Sequence, residues 1–163
     1  MQIRRATAVD GDAVAYLLRD AFREFERLYT RAGYSATTPD PTAVRERLKE
    51  GPTWVAEKDG HIVGTVSALL RDGGVYIRSM AVAPGARGQR VGHALMDEPF
   101  HLAVERKATH LFLSTTPFLF SAIRLYESLG FRRTGEPPHE LHGTPLVTMA
   151  RAVGDKPLRE PGQ

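Results

Sequence analysis

An α/β domain of the α+β kind is predicted by three features of the sequence: an early helical pattern, a central run of strands joined by tight turns, and alternating strand and helix patterns afterwards. Val14, Leu17, Leu18, Phe22 and Phe25 recur at helical spacing. Residues 53–57, 61–70 and 75–82 are strand-like, and Lys58-Asp59-Gly60 and Arg71-Asp72-Gly73-Gly74 between them are hairpin chemistry. Together they predict an antiparallel meander. Residues 110–114 form a compact apolar segment suited to a central strand, and 121–129 carry Ala122, Leu125 and Leu129 on one helical stripe.

The remaining elements follow in order. Residues 3–6 read as a short first strand, and Asp10 is placed to cap the helix that follows. Residues 33–41 hold turn formers and two prolines, and 42–50 read as a second short helix closed by Gly51-Pro52. After the small-residue loop 83–88, Val91, Ala94, Leu95, Leu102 and Ala103 set a helix that Pro99 is expected to kink or break. Gly130 suits a left-handed C-terminal cap, and 131–134 and 145–150 suit the last two strands. A single domain over 1–152 with a flexible tail over 153–163 is expected.

At 163 residues, 42% hydrophobic and 25% charged, the composition is that of one ordinary globular domain. No apolar run approaches the ~20 residues of a membrane span, and the N-terminal residues resemble neither a signal nor a transit peptide, so a cytoplasmic location is expected. Without cysteine there is no disulfide, thiolate metal site or thiol nucleophile, so any acyl transfer is expected to be direct. The net charge of +3 and pI near 9.4 suit an anionic ligand. Arg and Glu are interspersed and no aromatic residues interleave with the arginines, so nucleic acid is not expected as a partner. His139 and His142 lack a third ligand at metal spacing, and no metal is expected.

The chemistry concentrates at 82–95, where a buried strand passes through a small-residue loop into a helix start. Read alone, an Arg-Gly pair there is a tight turn with ordinary capping. A helix start also leaves backbone N–H groups unpaired at the positive end of a dipole, which suits a pyrophosphate. Gly88 and Gly92 would let such a ligand come close.

This segment resembles the cofactor loop of the GNAT family, written Gln or Arg, two variable residues, Gly, one variable residue, then Gly or Ala; Arg87 and Gly92 match its ends. Residues 77–84 are similar to the family's fourth strand, and 122–131, containing Leu125-Tyr126-Glu127-Ser128-Leu129-Gly130-Phe131, to its late helix and turn. The resemblance implies a central mixed, mostly antiparallel sheet of about six or seven strands, about four helices, and a splay between strands 4 and 5. It implies acetyl-CoA as cosubstrate, held by Met80, Ala81 and Val82 and by Arg87, Gly88, Gln89, Arg90, Val91, Gly92, His93 and Ala94. Met80 and Val82 would pair with the pantetheine, and the N–H of Met80 or Ala81 would polarise the thioester.

Tyr126 falls at the family's proton donor to the departing thiolate, although an aromatic at helical spacing is otherwise a core residue. Two departures stand out. Arg90 occupies the position of a loop glycine, where its side chain would clash or add a phosphate contact and a negative φ would leave its N–H available, and Leu119 stands where many relatives have an asparagine. The family's strand-four glutamate aligns with Tyr76, so no general base carries over; Glu57, His139, Glu140 and His142 are candidates that equally suit a solvated surface. Arg78 could clamp an acceptor carboxylate or form a salt bridge within the sheet. The activity implied is direct acetyl transfer to a primary amine on a small molecule or peptide, with an acyl-CoA sensor as the alternative. A homodimer is left open.

Overall fold

At Asp59-Gly60 and Asp72-Gly73 all four residues have positive φ, 51° and 78°, 52° and 77°. That two-residue turn matches the twist of its flanking strands. The turns join β2 (Thr53–Lys58), β3 (His61–Arg71) and β4 (Gly74–Val82) into the expected antiparallel meander. The computed structural model describes residues 1–154, so the tail expected over 153–163 lies, beyond Gly154, outside the described residues.

β1 (Gln2–Arg5) adds to the meander beside β2. α4 (Val91–Glu105) then crosses over, so β5 (His110–Thr115) pairs parallel to β4. β8 (Thr144–Ala152) lies antiparallel to β5, and both β6 (Arg132–Arg133) and β7 (His139–Leu141) pair with β8. The order is β1-β2-β3-β4-β5-β8-β6 with β7 off that path.

The helices cover both faces. α1 (Gly11–Phe22) and α3 (Pro41–Leu48) pack Val14, Ala15, Leu18 and Val44 against Val55 and Ala81. On the other face Trp54, Ala56, Val66 and Ile77 meet Val91, Leu95 and Met96 of α4 and Tyr126 of α5 (Phe120–Ser128). The switch of face at Trp54, Val55 and Ala56 is the period-two alternation of a strand covered on both sides. Gly130 has φ 91°, and Phe131 N–H bonds the Tyr126 carbonyl at 3.0 Å while Gly130 N–H bonds that of Glu127 at 3.1 Å. This Schellman closure is the cap expected at that glycine.

Four expectations need correction. Pro99 does not break α4, which runs through it with the proline buried; the ring forfeits one ladder bond and the helix continues on both sides. The Asp10 carboxylate does not cap α1. It accepts from Thr7 N–H at 2.8 Å and from the Arg4 guanidinium at 2.9 Å, and these bonds depress its pKa, Arg4 contributing most. The last strand pair gains β7, turned into β8 by His142 and Gly143 at φ 47° and 88°.

The fourth correction is α2 (Arg31–Thr37), a helix where turns were expected. Thr30 caps it by accepting from Gly33 N–H at 3.0 Å, and the same hydroxyl donates to the His142 carbonyl at 2.7 Å, docking the helix on the β7–β8 hairpin. Gly33 serves this close approach: a Cβ there would sit 2.2 Å from Thr144 Oγ1 and 3.0 Å from the Leu141 carbonyl oxygen. Backbone cannot yield as a side-chain tip can. Gly33→Ala should therefore destabilise the domain by about 1–3 kcal/mol despite alanine's better helix propensity. A urea midpoint lowered at unchanged slope would register this, and an unchanged or raised midpoint would contradict it.

Candidate active site

β4 and β5 pair only through Val75–Leu111, Tyr76–Phe112 and Ile77–Leu113, although β4 continues to Val82 and β5 to Thr115. The parting begins where Ser79 takes φ 56° and the β3 register shifts, with Thr65 opposite Ala81 but Ser67 opposite Arg78. One residue of β3 thus faces two of β4. This bulge turns β4 away from β5 and opens the sheet into a wedge.

Backbone direction in the wedge follows from parity. Ala83 N–H bonds the Val63 carbonyl at 2.8 Å, and Ala81 stands opposite Thr65, so both direct their polar groups toward β3. The intervening groups of Met80 and Val82 face the gap. Of the two N–H donors expected at the thioester, Met80 has the suitable direction and Ala81 does not.

A cleft of about 400 Å³ lies on one side of the wedge, lined by Met80, Ala81 and Val82, by Arg87, Gly88, Arg90, Gly92 and His93 of the loop and α4, and by Leu125 and Tyr126 of α5. Gly88 and Arg90 have φ 79° and 62°. The condition of a negative φ at Arg90 is therefore not met: the arginine adopts the left-handed backbone that a glycine takes without strain. No side chain caps α4, and its ladder opens with Ala94 N–H to the Arg90 carbonyl at 3.1 Å. The N–H groups of Val91 and Gly92 precede that first bond, at the end of the helix suited to an anion.

The other predicted loop residues have structural partners. Arg87 donates to the Ala21 carbonyl at 3.0 Å and pairs with Glu24, fastening the loop to the end of α1. Gln89 accepts from Lys58 at 2.8 Å, Val91 is buried beneath the loop, and Ala94 makes the first helical bond. Phe22, Phe25, Ser121 and Ala122 also line the cleft. Phe22 and Phe25 were legible only as helical core, because nothing in their spacing says that α1 ends at a cavity.

Tyr126 is 6% exposed, packs its ring on Phe131 at 6.0 Å between centroids, and lines the cleft. Both its readings meet here: a core ring and a phenol at a cavity wall. Burial raises its pKa well above the ordinary phenolic value, so the proton is held throughout the neutral range.

A second cleft of about 240 Å³ lies across the wedge and shares Phe22, Met80, Leu119 and Tyr126 with the first. Leu119 thus puts an apolar group between the cavities where an asparagine was the alternative. Tyr29, Arg47 and Arg78 also line the second cleft. Arg78 pairs with Glu50 but leaves its buried Nε without a partner. Arg47 donates to the Ala36 carbonyl at 2.9 Å and to Ser79 Oγ at 3.3 Å, and burial lowers its pKa, reinforced by the charge of Arg78. Tyr29 and Arg47 come from the α1–α3 region, whose sequence carried only a helical pattern.

The candidate bases are dispersed. Glu57 is held by Arg4 at 3.0 Å, outside both clefts. Glu140 is exposed on β7, and His142 forms the β7–β8 turn. His139 approaches the second cleft, its Nε2 lying 3.3 Å from Oγ of the lining residue Ser114.

A splayed sheet, an uncapped helix start at its mouth and a buried tyrosine between two clefts agree with the comparison to known families, in which residues 14–131 match the acetyltransferase (GNAT) family. The chain belongs to the GNAT family. N-acetylaspartate synthetase of Danio rerio is 40% identical over 85 residues, 51% of this chain and 30% of that protein. Human N-acetyltransferase 8B is 35% identical over 89 residues, 51% and 39% of the two chains. The match thus spans 30% and 39% of the length of these two curated relatives.

Ribosomal-protein-alanine N-acetyltransferase from Brucella melitensis superimposes with TM-score 0.75 at 27% identity, covering 93% of this chain and 99% of that one. The PaiA N-acetyltransferase of Thermoplasma acidophilum, solved with coenzyme A, gives 0.79 at 11% identity, covering 93% and 98%, a likeness of fold. For this GNAT chain the mixed sheet and the β4–β5 splay are as expected. Among the described residues the counts of eight strands and five α-helices each exceed by one the seven and four read from the residues, through β7 and α2. Among the described residues no helix is long and apolar enough to cross a membrane.

Proposed function

We propose that this GNAT domain is an acetyl-CoA-dependent N-acetyltransferase that moves the acetyl group directly to a primary amine. The observation that carries this reading is the meeting of the two clefts at Met80 and Tyr126, beside the unpaired backbone of β4. One cleft suits the cosubstrate and the other the acceptor. A chain without cysteine offers no thiol for an acyl-enzyme, which supports direct transfer. The relatives are named N-acetyltransferases, and one structural neighbour carries coenzyme A.

The residues fit acetyl-CoA, which supplies an acyl group already activated as a thioester. The backbone from Gly88 to His93 would hold the pyrophosphate at the start of α4, with Gly92 giving it room. Met80 and Val82 would pair with the pantetheine as a strand pairs with a sheet edge. The Met80 N–H would donate to the thioester oxygen, and Tyr126 would give its proton to the departing sulfur. As the carbon–nitrogen bond forms the carbon–sulfur bond would break; the amine would release one proton to solvent, the thiolate would take one from Tyr126, and Tyr126 would regain its proton from solvent.

Coenzyme A should stabilise the folded chain, by about 2.7 kcal/mol at a hundredfold excess over Kd. Thiol release from acetyl-CoA should then depend on an added amine, with the acetylated amine as product. An unshifted melting temperature at millimolar coenzyme A would contradict the cosubstrate assignment. Stabilisation without transfer to any amine would identify an acyl-CoA sensor.

A further inference from the structure

The second cleft has a charge that the transfer chemistry does not require. Two guanidinium groups, those of Arg47 and Arg78, line it together with neutral side chains, and no Asp, Glu, Lys or His belongs to its lining. Glu50, outside that lining, pairs with Arg78 and is half-exposed. Counting Arg47, Arg78 and Glu50 leaves an excess of positive charge facing the space.

The hydrogen bonds are incomplete in the same sense. Arginine carries five donors in a planar fork. Arg78 gives one terminal nitrogen to Glu50 and leaves its buried Nε unsatisfied, while Arg47 has only a carbonyl and a long contact to Ser79. A buried donor without an acceptor is costly, and two guanidinium groups near each other repel. A carboxylate placed between them would answer both, accepting at the Nε edge of Arg78 while neutralising the pair. The cavity's size narrows the choice further: about 240 Å³ is below the ~300–1,000 Å³ usual for drug-sized ligands.

We infer that the acceptor is a small amine bearing a carboxylate, an amino acid, whose carboxylate is held by Arg47 and Arg78 while its amine faces Met80 and Tyr126. This rests on reading the second cleft as the acceptor side. Arg78 and Met80 flank the bulge at Ser79, two residues apart on β4, and both line this cleft, so one small molecule can reach both. The same charge opposes polyamines and other polycationic acceptors.

The test compares free amino acids with their amides, titrated by calorimetry into the free and the coenzyme A-saturated protein and assayed for acetyl transfer. The acids should have KM or Kd values at least ~10-fold below those of the amides, the loss usual for one charged hydrogen bond. Arg78→Gln and Arg47→Gln should each raise KM for the acids by ~10-fold or more, collapsing the preference over the amides, while coenzyme A stabilisation is unchanged. Arg78→Lys should restore part of the preference. Glu50→Gln, which frees Arg78 at an exposed position, should lower KM for the acids. Amides bound as well as acids, no amino acid bound to either form, or a preference indifferent to both arginines would overturn the inference. Failure of coenzyme A to bind would instead refute the transferase reading, and the amino-acid titration of the free protein would still decide on the carboxylate site.

Discussion

Replacing Tyr126 with Phe should lower single-turnover acetyl transfer by ~100-fold or more while leaving acetyl-CoA affinity nearly intact. The structure sharpens this expectation because Tyr126 both packs in the core and lines the two clefts. The ring packs on Phe131 within the core, and phenylalanine keeps nearly all of that contact, so folding is little affected. The hydroxyl alone is deleted, at a wall shared by the two clefts.

Burial keeps the phenol protonated across the neutral range, so it has a proton to give, and raising pH to moderately alkaline values should not remove it. Any rise in rate with pH should come from deprotonation of the amine and persist in the Phe variant at a lower level. Steady-state rates can hide the loss where product release is slow, which is why single-turnover rates are the measure. Wild-type single-turnover rates in the variant would make Tyr126 a core residue and nothing more.

What the sequence disclosed was local and periodic. The Asp-Gly turns announced the meander because their positive φ has a residue signature, and Gly130 announced its cap for the same reason. His142-Gly143 makes the same kind of turn, yet histidine is not a residue that advertises it, and β7 was read as loop. Gly33 was mistaken for a turn former because close approach and backbone flexibility select the same amino acid; the Thr144 hydroxyl and the Leu141 carbonyl of the β7–β8 hairpin distinguish them.

The site divided along the same line. Its backbone half, the loop at 82–95 and the strand leading into it, is contiguous and was legible. The second cleft is assembled from residues such as Tyr29, Arg47, Arg78 and Leu141, separated in sequence and brought together by the fold. Arg78 could be suspected from strand parity, whereas Arg47 sits on an ordinary charged helix whose partners cannot be read from spacing. Arg90 is subtler: its φ of 62° is one that arginine seldom adopts, so the residue type does not announce the backbone there.

The other large effect is expected at Gly92, where Gly92→Glu should weaken coenzyme A binding by ~30-fold or more, since like unit charges about 4 Å apart repel by several kcal/mol at a partly buried site. Gly92 lines the first cleft in the opening turn of α4, and its missing side chain has two consequences that act on different observables. A Cβ there would approach Leu125 Cδ2 to 2.9 Å, so some cost in folding is unavoidable. That contact is the tip of a flexible side chain bordering a cavity, and it can turn aside. A carboxylate in the first turn also interacts favourably with the helix dipole, by about 0.3–1 kcal/mol, which offsets part of the crowding. The net loss of stability should therefore be small beside the loss of binding, where bulk and negative charge oppose the pyrophosphate together. Arg90→Gly is the control, because glycine accepts the φ of 62° that arginine adopts under strain and preserves the N–H, so binding should change by no more than a few-fold. Thermal melts with and without coenzyme A, alongside direct titration, separate the two quantities. Equal losses of binding in both variants would move the pyrophosphate away from the start of α4, and a Gly92→Glu chain that melts much lower yet still binds coenzyme A would make Gly92 a packing glycine.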